Sequence, residues 1–363
     1  MVWTYFIIAV ILLIAELIYF RIADKCNIID KPNERSSHST IVLRGGGIIF
    51  SLSMIVWAAL ELVQGVQGVQ VVQEYLPFLC GLVLICGVSF WDDVHSLPDS
   101  VRLVAQFAAM ILMLLSLKVQ DVQWFNDLGW YWQVLIGVVA LIVVVGATNI
   151  INFMDGINGI TAGYSLAVLV PLALVNGSGL MVHGSSRISE LENPFIDQSY
   201  LIMAIIGVLV FCIFNFRPKG KAKCFAGDVG SIGIAFIMLF ALGRLIVQTG
   251  DLTYLVFLLI YGVDGVLTIC HRIMLHENLG EAHRKHAYQI MANELGMSHV
   301  VVSCIYMGLQ LLISLVMVYL IPNTPLAHWV YLIAVAAVLA VAYVLFIKKY
   351  YHLHEEYLES LKR

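Results

Sequence analysis

Apolar runs long enough to cross a bilayer, which takes roughly 17–25 residues, follow one another along most of this chain. They fall near 2–20, 47–63, 75–91, 101–119, 131–151, 159–176, 199–216, 230–248, 252–271, 299–321 and 326–348. The pattern predicts an all-α polytopic integral membrane protein of ten or eleven transmembrane helices, eleven as the runs are drawn here. The sixth run, with its glycines and Pro171, is the least regular. One transmembrane domain is expected over 1–363, with polar motifs between 30 and 289, two closing spans over about 299–348 and a short tail at 349–363. Residues 1–20 carry neither a basic leader nor a small-residue cleavage site, so they are expected to stay as the first span.

Composition agrees with this pattern. Of 363 residues, 61% are hydrophobic and 12% charged, whereas a soluble domain is nearer one quarter charged. Mean hydropathy is +0.90. The seven cysteines are scattered without a C-x-x-C pair, which argues against both a disulfide framework and a zinc site. Charge matters here by placement. Seventeen of the twenty Lys and Arg residues lie by the connections that follow odd-numbered spans or in the tail. The positive-inside bias therefore predicts an outside N-terminus and a cytoplasmic C-terminus. The polar motifs sort to the same cytoplasmic side, and nothing in the charge pattern calls for a nucleic acid.

The densest motif is Thr148–Gly163, where Asn149, Asn152, Asp155 and Asn158 recur every third residue among Gly156, Gly159 and Gly163. A polar interhelical turn would look similar. Carboxamides and carboxylates beside a span are costly unless used, and their oxygens suit a hard cation such as Mg²⁺. Asp92 and Asp93 end the third span as Trp-Asp-Asp-Val-His; they are either a solvated helix end or a pair neutralised by cations. Asp228, between glycines in Phe-Ala-Gly-Asp-Val-Gly-Ser, could cap its helix or hold a metal where backbone N–H groups face a phosphate. Asp264 lies inside the ninth span, where it needs a structural partner or a task. Glu281–Gln289 carries His283, Arg284, Lys285 and His286, a solvated basic loop or a cradle for a diphosphate. Lys31, Arg35 and the Arg44-Gly-Gly-Gly segment add a second cationic stretch, without the order of a nucleotide P-loop.

Taken together, these motifs resemble the polyprenyl-phosphate N-acetylhexosamine-1-phosphate transferase superfamily. The resemblance runs from about Asp30 to Gln289 through D-K-P-N-x-R with R-G-G-G, then D-D, N-x-x-N-x-x-D-G-I-N-G, F-x-G-D-x-G-S and the His/Arg loop, in that order. The last loop reads His-Arg-Lys-His, closest to the branch that begins O-antigen or capsule repeats. The Asp pair is followed by Val-His, where several relatives carry a basic residue.

The resemblance implies transfer of an N-acetylated amino-sugar 1-phosphate, GlcNAc-1-phosphate first, from a UDP-N-acetylhexosamine to undecaprenyl phosphate. It implies a bacterial inner membrane and Mg²⁺, with Mn²⁺ as substitute, held by Asp228 with Asn152 and joined by Asp155. Asp92 or Asp93 would act on the lipid phosphate. His283, Arg284 and His286 would clamp the diphosphate, Asn149 and Asn158 would contact nucleotide or sugar, and Lys31, Arg35 and Arg44 would support the lipid phosphate. The resemblance also admits a homodimer. A phospho-MurNAc-pentapeptide transferase is the nearest alternative, and the His-Arg-Lys-His loop argues against it. An inactive lipid-binding paralogue is disfavoured because the metal-type positions are filled. A secondary transporter would place its polar groups near the midplane, not along one face.

Overall fold

A computed structural model describes residues 2–30, 41–177, 194–280 and 283–361. The chain is helical almost throughout, with α1 (Val2–Lys25), α2 (Ile48–Val63), α3 (Val66–Glu74), α4 (Leu76–Val94), α5 (Asp99–Leu115), α6 (Gln123–Asn126), α7 (Trp130–Phe153) and α8 (Ile160–Asn176) in its first half. Then come α9 (Gln198–Asn215), α10 (Gly227–Thr249), α11 (Leu259–Met274), α12 (Ala287–Asn293), α13 (His299–Tyr319) and α14 (Pro325–Leu361). Among the described residues, nine helical segments are long and apolar enough to cross a membrane, and α2 and α8 are shorter apolar helices at the second and sixth predicted runs. The chain is therefore a multi-pass membrane protein.

The helices sort by how much of their surface the protein covers. α10 is the axle: 83% of its most apolar window is buried, and α2, α4, α7 and α8 pack around it. Phe78 of α4 stacks on Phe236 and Phe240 of α10, with ring centroids 5.4 and 4.3 Å apart. α8 is buried along most of its length, Pro171 included, against α9 and α13. A helix enclosed by neighbours tolerates proline because they can satisfy the freed backbone groups. α1, α7 and α14 instead leave much of their apolar surface uncovered, as lipid-facing helices do.

The Gly/Val/Gln stretch after the second run forms the short helix α3. One sequence expectation changes. The last span does not stop where its apolar run ends: α14 is a single helix of 37 residues, because no glycine or proline interrupts 326–361.

Beyond the polar ends of the spans, β1 (Ile29–Asp30) pairs antiparallel with β2 (Val42–Leu43). β2 continues into a bridge with Cys224. Phe225 donates its N–H to Leu43 O at 2.8 Å, and Gly46 and Gly47 donate to Phe225 O and Ala226 O at 2.9 and 3.1 Å. The Arg-Gly-Gly-Gly and Phe-Ala-Gly-Asp motifs are thus laced together by backbone bonds.

Candidate active site

The lacing requires glycine. A Cβ on Gly47 would stand 2.3 Å from Gly230 Cα, too close for any side chain. Gly227 has φ +70°, a left-handed conformation open chiefly to glycine, and a Cβ there would meet Asp93 Oδ2 at 2.6 Å. The start of α10 is therefore pressed between the Arg44 segment and the end of α4.

Asp93 closes this junction. Its two carboxylate oxygens accept the backbone N–H groups of Asp228 and Val229, each at 3.0 Å, two of the donors that a helix start leaves without intrahelical partners. Arg44 Nε meets the same carboxylate at 2.7 Å, and the Asp93 side chain is wholly buried. Asp92 is held from the other element: Oδ1 accepts from Leu97 N at 2.7 Å, Oδ2 lies 3.3 Å from Arg102 Nε, and its carboxyl is within hydrogen-bonding reach of Asp228. Asp228 takes no backbone bond through its side chain. It stands between two guanidiniums, 3.8 Å from Arg44 and 3.3 Å from Arg102, with 18% of its side chain exposed. Three carboxyl groups against two guanidiniums leave the cluster short of positive charge. Asp228, at the positive end of α10, is the most open of its carboxylates.

Arg102 did not figure among the predicted site residues. It supplies from α5 the cation absent after the Asp pair. A signal was present, since the first turn of a helix ordinarily disfavours a cation.

The asparagine motif divides. Asn152 reaches α10, accepting at Oδ1 the hydroxyl of Ser231, one turn into that helix; Ser231 Oγ also lies 3.0 Å from Gly227 O. Asp155 accepts Thr161 Oγ1 at 2.6 Å. Burial pushes its carboxyl up to about 6, against the lowering effect of the Thr161 hydrogen bond and with the Asp228 charge adding to the rise. Asn149 is spent on α5: its amide donates to Gln106 Oε1 at 3.1 Å and to Val145 O at 2.8 Å. Asn158 is fully buried, and its amide donates to the carbonyls of Arg217 and Pro218 at 2.9 and 3.0 Å. Asn149 and Asn158 thus tether segments to one another in this structure.

The His-Arg-Lys-His loop abuts this motif. Tyr288 donates its hydroxyl to Phe153 O at 3.1 Å, and the ring of His283 lies 6.4 Å from that of Phe153. Its cations are largely committed elsewhere. Arg284 binds Glu294 at 2.8 Å, and Lys285 binds Glu277. Asp264 gathers the loop onto α11, accepting from His286 Nδ1 at 3.3 Å, from Ala287 N at 3.1 Å and from Tyr306 OH at 2.6 Å. Asp264 is thus a structural anchor. Burial, then the charges of His286, Arg272 and Lys285, push His283 down to about 3, so it stands beside the motif as a neutral imidazole. Of the expected clamp, Arg284 and His286 are engaged by Glu294 and Asp264 in this structure, and His283 lies against Phe153. Lys31 and Arg35 lie outside the described residues.

Among the described residues, no group of three or more His, Cys, Asp or Glu could hold a metal ion by itself. The oxygens of Asp228 and Asn152 nevertheless suit a hard cation that completes its shell with substrate and water oxygens, as Mg²⁺ usually does. Asn152 Oδ1 keeps a second lone pair beside the one Ser231 uses.

Comparison with known proteins bears on the same residues. A Bacillus subtilis protein named as a probable undecaprenyl-phosphate N-acetylglucosaminyl 1-phosphate transferase is 26% identical over 290 residues, 77% of this chain and 73% of that protein. The Escherichia coli K12 undecaprenyl-phosphate alpha-N-acetylglucosaminyl 1-phosphate transferase is 24% identical over 61% of this chain and 56% of its own length. A Shouchella clausii phospho-N-acetylmuramoyl-pentapeptide-transferase is 33% identical over a shorter stretch, 39% of this chain and 35% of its own. The family described as glycosyl transferase family 4 matches residues 75–264, from the start of α4 through the Asp pair, the asparagine motif and Asp228 to Asp264. The chain belongs to glycosyl transferase family 4.

Proposed function

We propose that this protein transfers an N-acetylated amino-sugar 1-phosphate, GlcNAc-1-phosphate first, from a UDP-sugar to undecaprenyl phosphate. One observation carries the reading: an open carboxylate, Asp228, set between two arginines at a helix start in a family of sugar transferases. An oxygen of the lipid phosphate would attack the β-phosphorus of the UDP-sugar. The bond from that phosphorus to the UMP oxygen breaks, and UMP leaves with its electron pair. Such transfer asks the protein mostly for positioning and charge neutralisation.

Arg44 and Arg102 suit that task, since each reaches Asp228 while anchored on Asp93 or Asp92. Asp93 has its oxygens engaged by the α10 backbone and Arg44, so it positions the helix start; the proton-accepting role fits Asp92 better. Asp228 and Asn152 would hold Mg²⁺, which would neutralise the diphosphate of the donor. Asp155 borders that site, and His283 would donate a neutral hydrogen bond to the donor.

The charge asymmetry of the loops supports a cytoplasmic site and C-terminus, and the bacterial relatives support an inner membrane. The likeness of the His-Arg-Lys-His loop to the O-antigen- and capsule-initiating branch supports a role in starting such a polysaccharide. The shorter match to a phospho-N-acetylmuramoyl-pentapeptide-transferase keeps UDP-MurNAc-pentapeptide as the second donor to test. Purified protein in detergent is to be assayed for UMP release with undecaprenyl phosphate and a panel of UDP-sugars, with and without Mg²⁺. UMP that needs lipid, metal and UDP-GlcNAc is the expected result. Release with the pentapeptide donor alone would replace GlcNAc by the second reading, and none with any donor would overturn the transferase.

A further inference from the structure

α14 is about 55 Å long at 1.5 Å per residue, against a hydrocarbon core of about 30 Å. Its last turns therefore project beyond the membrane, and they project beside the His-Arg-Lys-His loop. The guanidinium of Arg284 lies 4.0 Å from the ring centroid of Tyr357, a stacking distance for a cation on an aromatic face. Glu294 Oε1 accepts both from Arg284, at 2.8 Å, and from His354 Nδ1, at 3.0 Å. These side chains are shut away from solvent: His354 is 1%, Glu294 3% and Arg284 10% exposed. One turn earlier, the Tyr351 ring meets that of His271 at 4.7 Å, and Ala287 and Ile290 pack on Tyr343 and Ile347.

We infer that the projecting end of α14 is a latch, in which Tyr357 and His354 act as positioning residues that hold the 283–294 segment against the site through Arg284 and Glu294. The segment is thereby gripped from two sides. Asp264 fixes its backbone at Ala287 and its ring at His286, while α14 fixes the residue directly after His283. An isolated loop would have to order itself around each donor molecule, and that ordering lowers affinity. The latch meets this ordering cost in advance. What the loop then holds, the diphosphate of a sugar nucleotide, rests on the transferase reading above.

The test compares Tyr357→Ala with Tyr357→Phe in the full-length protein, by hydrogen exchange without substrate and by steady-state kinetics. In Tyr357→Ala, exchange across 283–294 should quicken while that of α10 stays as in wild type. The KM for the UDP-sugar should rise about tenfold, with the KM for lipid phosphate unchanged. Tyr357→Phe, which keeps the ring, should match wild type in both. Unaltered exchange in Tyr357→Ala would overturn the latch, and quickened exchange with an unmoved KM would overturn its positioning role. Wild type that releases no UMP, while Tyr357→Ala still loosens the segment, would sink the transferase reading and leave the latch standing.

Discussion

Asp93→Asn and Asp228→Asn, one carboxylate apart in the same cluster, should fail in different ways. Asp93 accepts two backbone N–H groups and the Nε of Arg44 with its side chain wholly buried. An asparagine keeps one acceptor oxygen, but its amide turns a donor toward the second N–H. Hydrogen bonds to a charged group are worth about 1.5–3 kcal/mol each. The ion pair with the partly exposed Arg44 adds up to about 1 kcal/mol. Asp93→Asn should therefore lose about 2–4 kcal/mol of stability, together with turnover, because the start of α10 shifts and carries Asp228 with it. Among the described residues, Asp228 gives its side chain to no backbone group; Arg44 and Arg102, each about one third exposed, and the Asp92 carboxyl surround it. Asp228→Asn should thus abolish UMP release and leave stability within about 1 kcal/mol of wild type. Thermal unfolding in detergent, followed by size-exclusion recovery of the monodisperse protein, reads the first quantity and UMP release the second. An Asp93→Asn protein as stable as wild type would refute the anchoring role. An Asp228→Asn protein that unfolds as early as Asp93→Asn would refute the division between anchor and ligand.

Two further outcomes follow from the same geometry. Because burial raises Asp155 to about 6, above its unfolded value near 3.9, the folded state binds more protons between those limits. Stability should then fall as pH rises from 4 through 6, and Asp155→Asn should flatten that slope in unfolding profiles; an unchanged slope would place the titration elsewhere. Gly47→Ala, whose Cβ would press on Gly230 Cα, should separate the Arg44 segment from α10 and cut UMP release at least tenfold, and near-normal turnover would show that the junction yields.

How far the sequence could be read depended on whether a property is local. The apolar runs reached the structure nearly intact because a span's length is set by the bilayer and shows in any window of the chain. α14 is the exception that follows the same logic: Lys348 and Lys349 end the apolar run, but nothing after them ends the helix. The junction between Arg44-Gly-Gly-Gly and Gly-Asp-Val-Gly was visible only as two glycine-rich motifs. Their mutual contact, some 180 residues apart in the chain, has no local trace.

Charge was the least legible property, since the value of a cation depends on which anion it already holds. Arg284 and His286 looked like ligands for a diphosphate because they sit in a basic motif, yet, from other elements, Glu294 pairs with Arg284 and Asp264 takes a hydrogen bond from His286. Arg102 looked like a topology-setting residue because its own neighbourhood is ordinary, yet it closes the cluster around Asp228. Buried cations must be partnered, so a basic loop packed against helices consumes its own charge. Groups left open to a ligand are then those whose partners sit at a helix start and share them. By that argument Arg44 and Arg102, each tied to Asp228 and to one member of the Asp pair, are better placed to meet phosphate than any cation of the His-Arg-Lys-His loop.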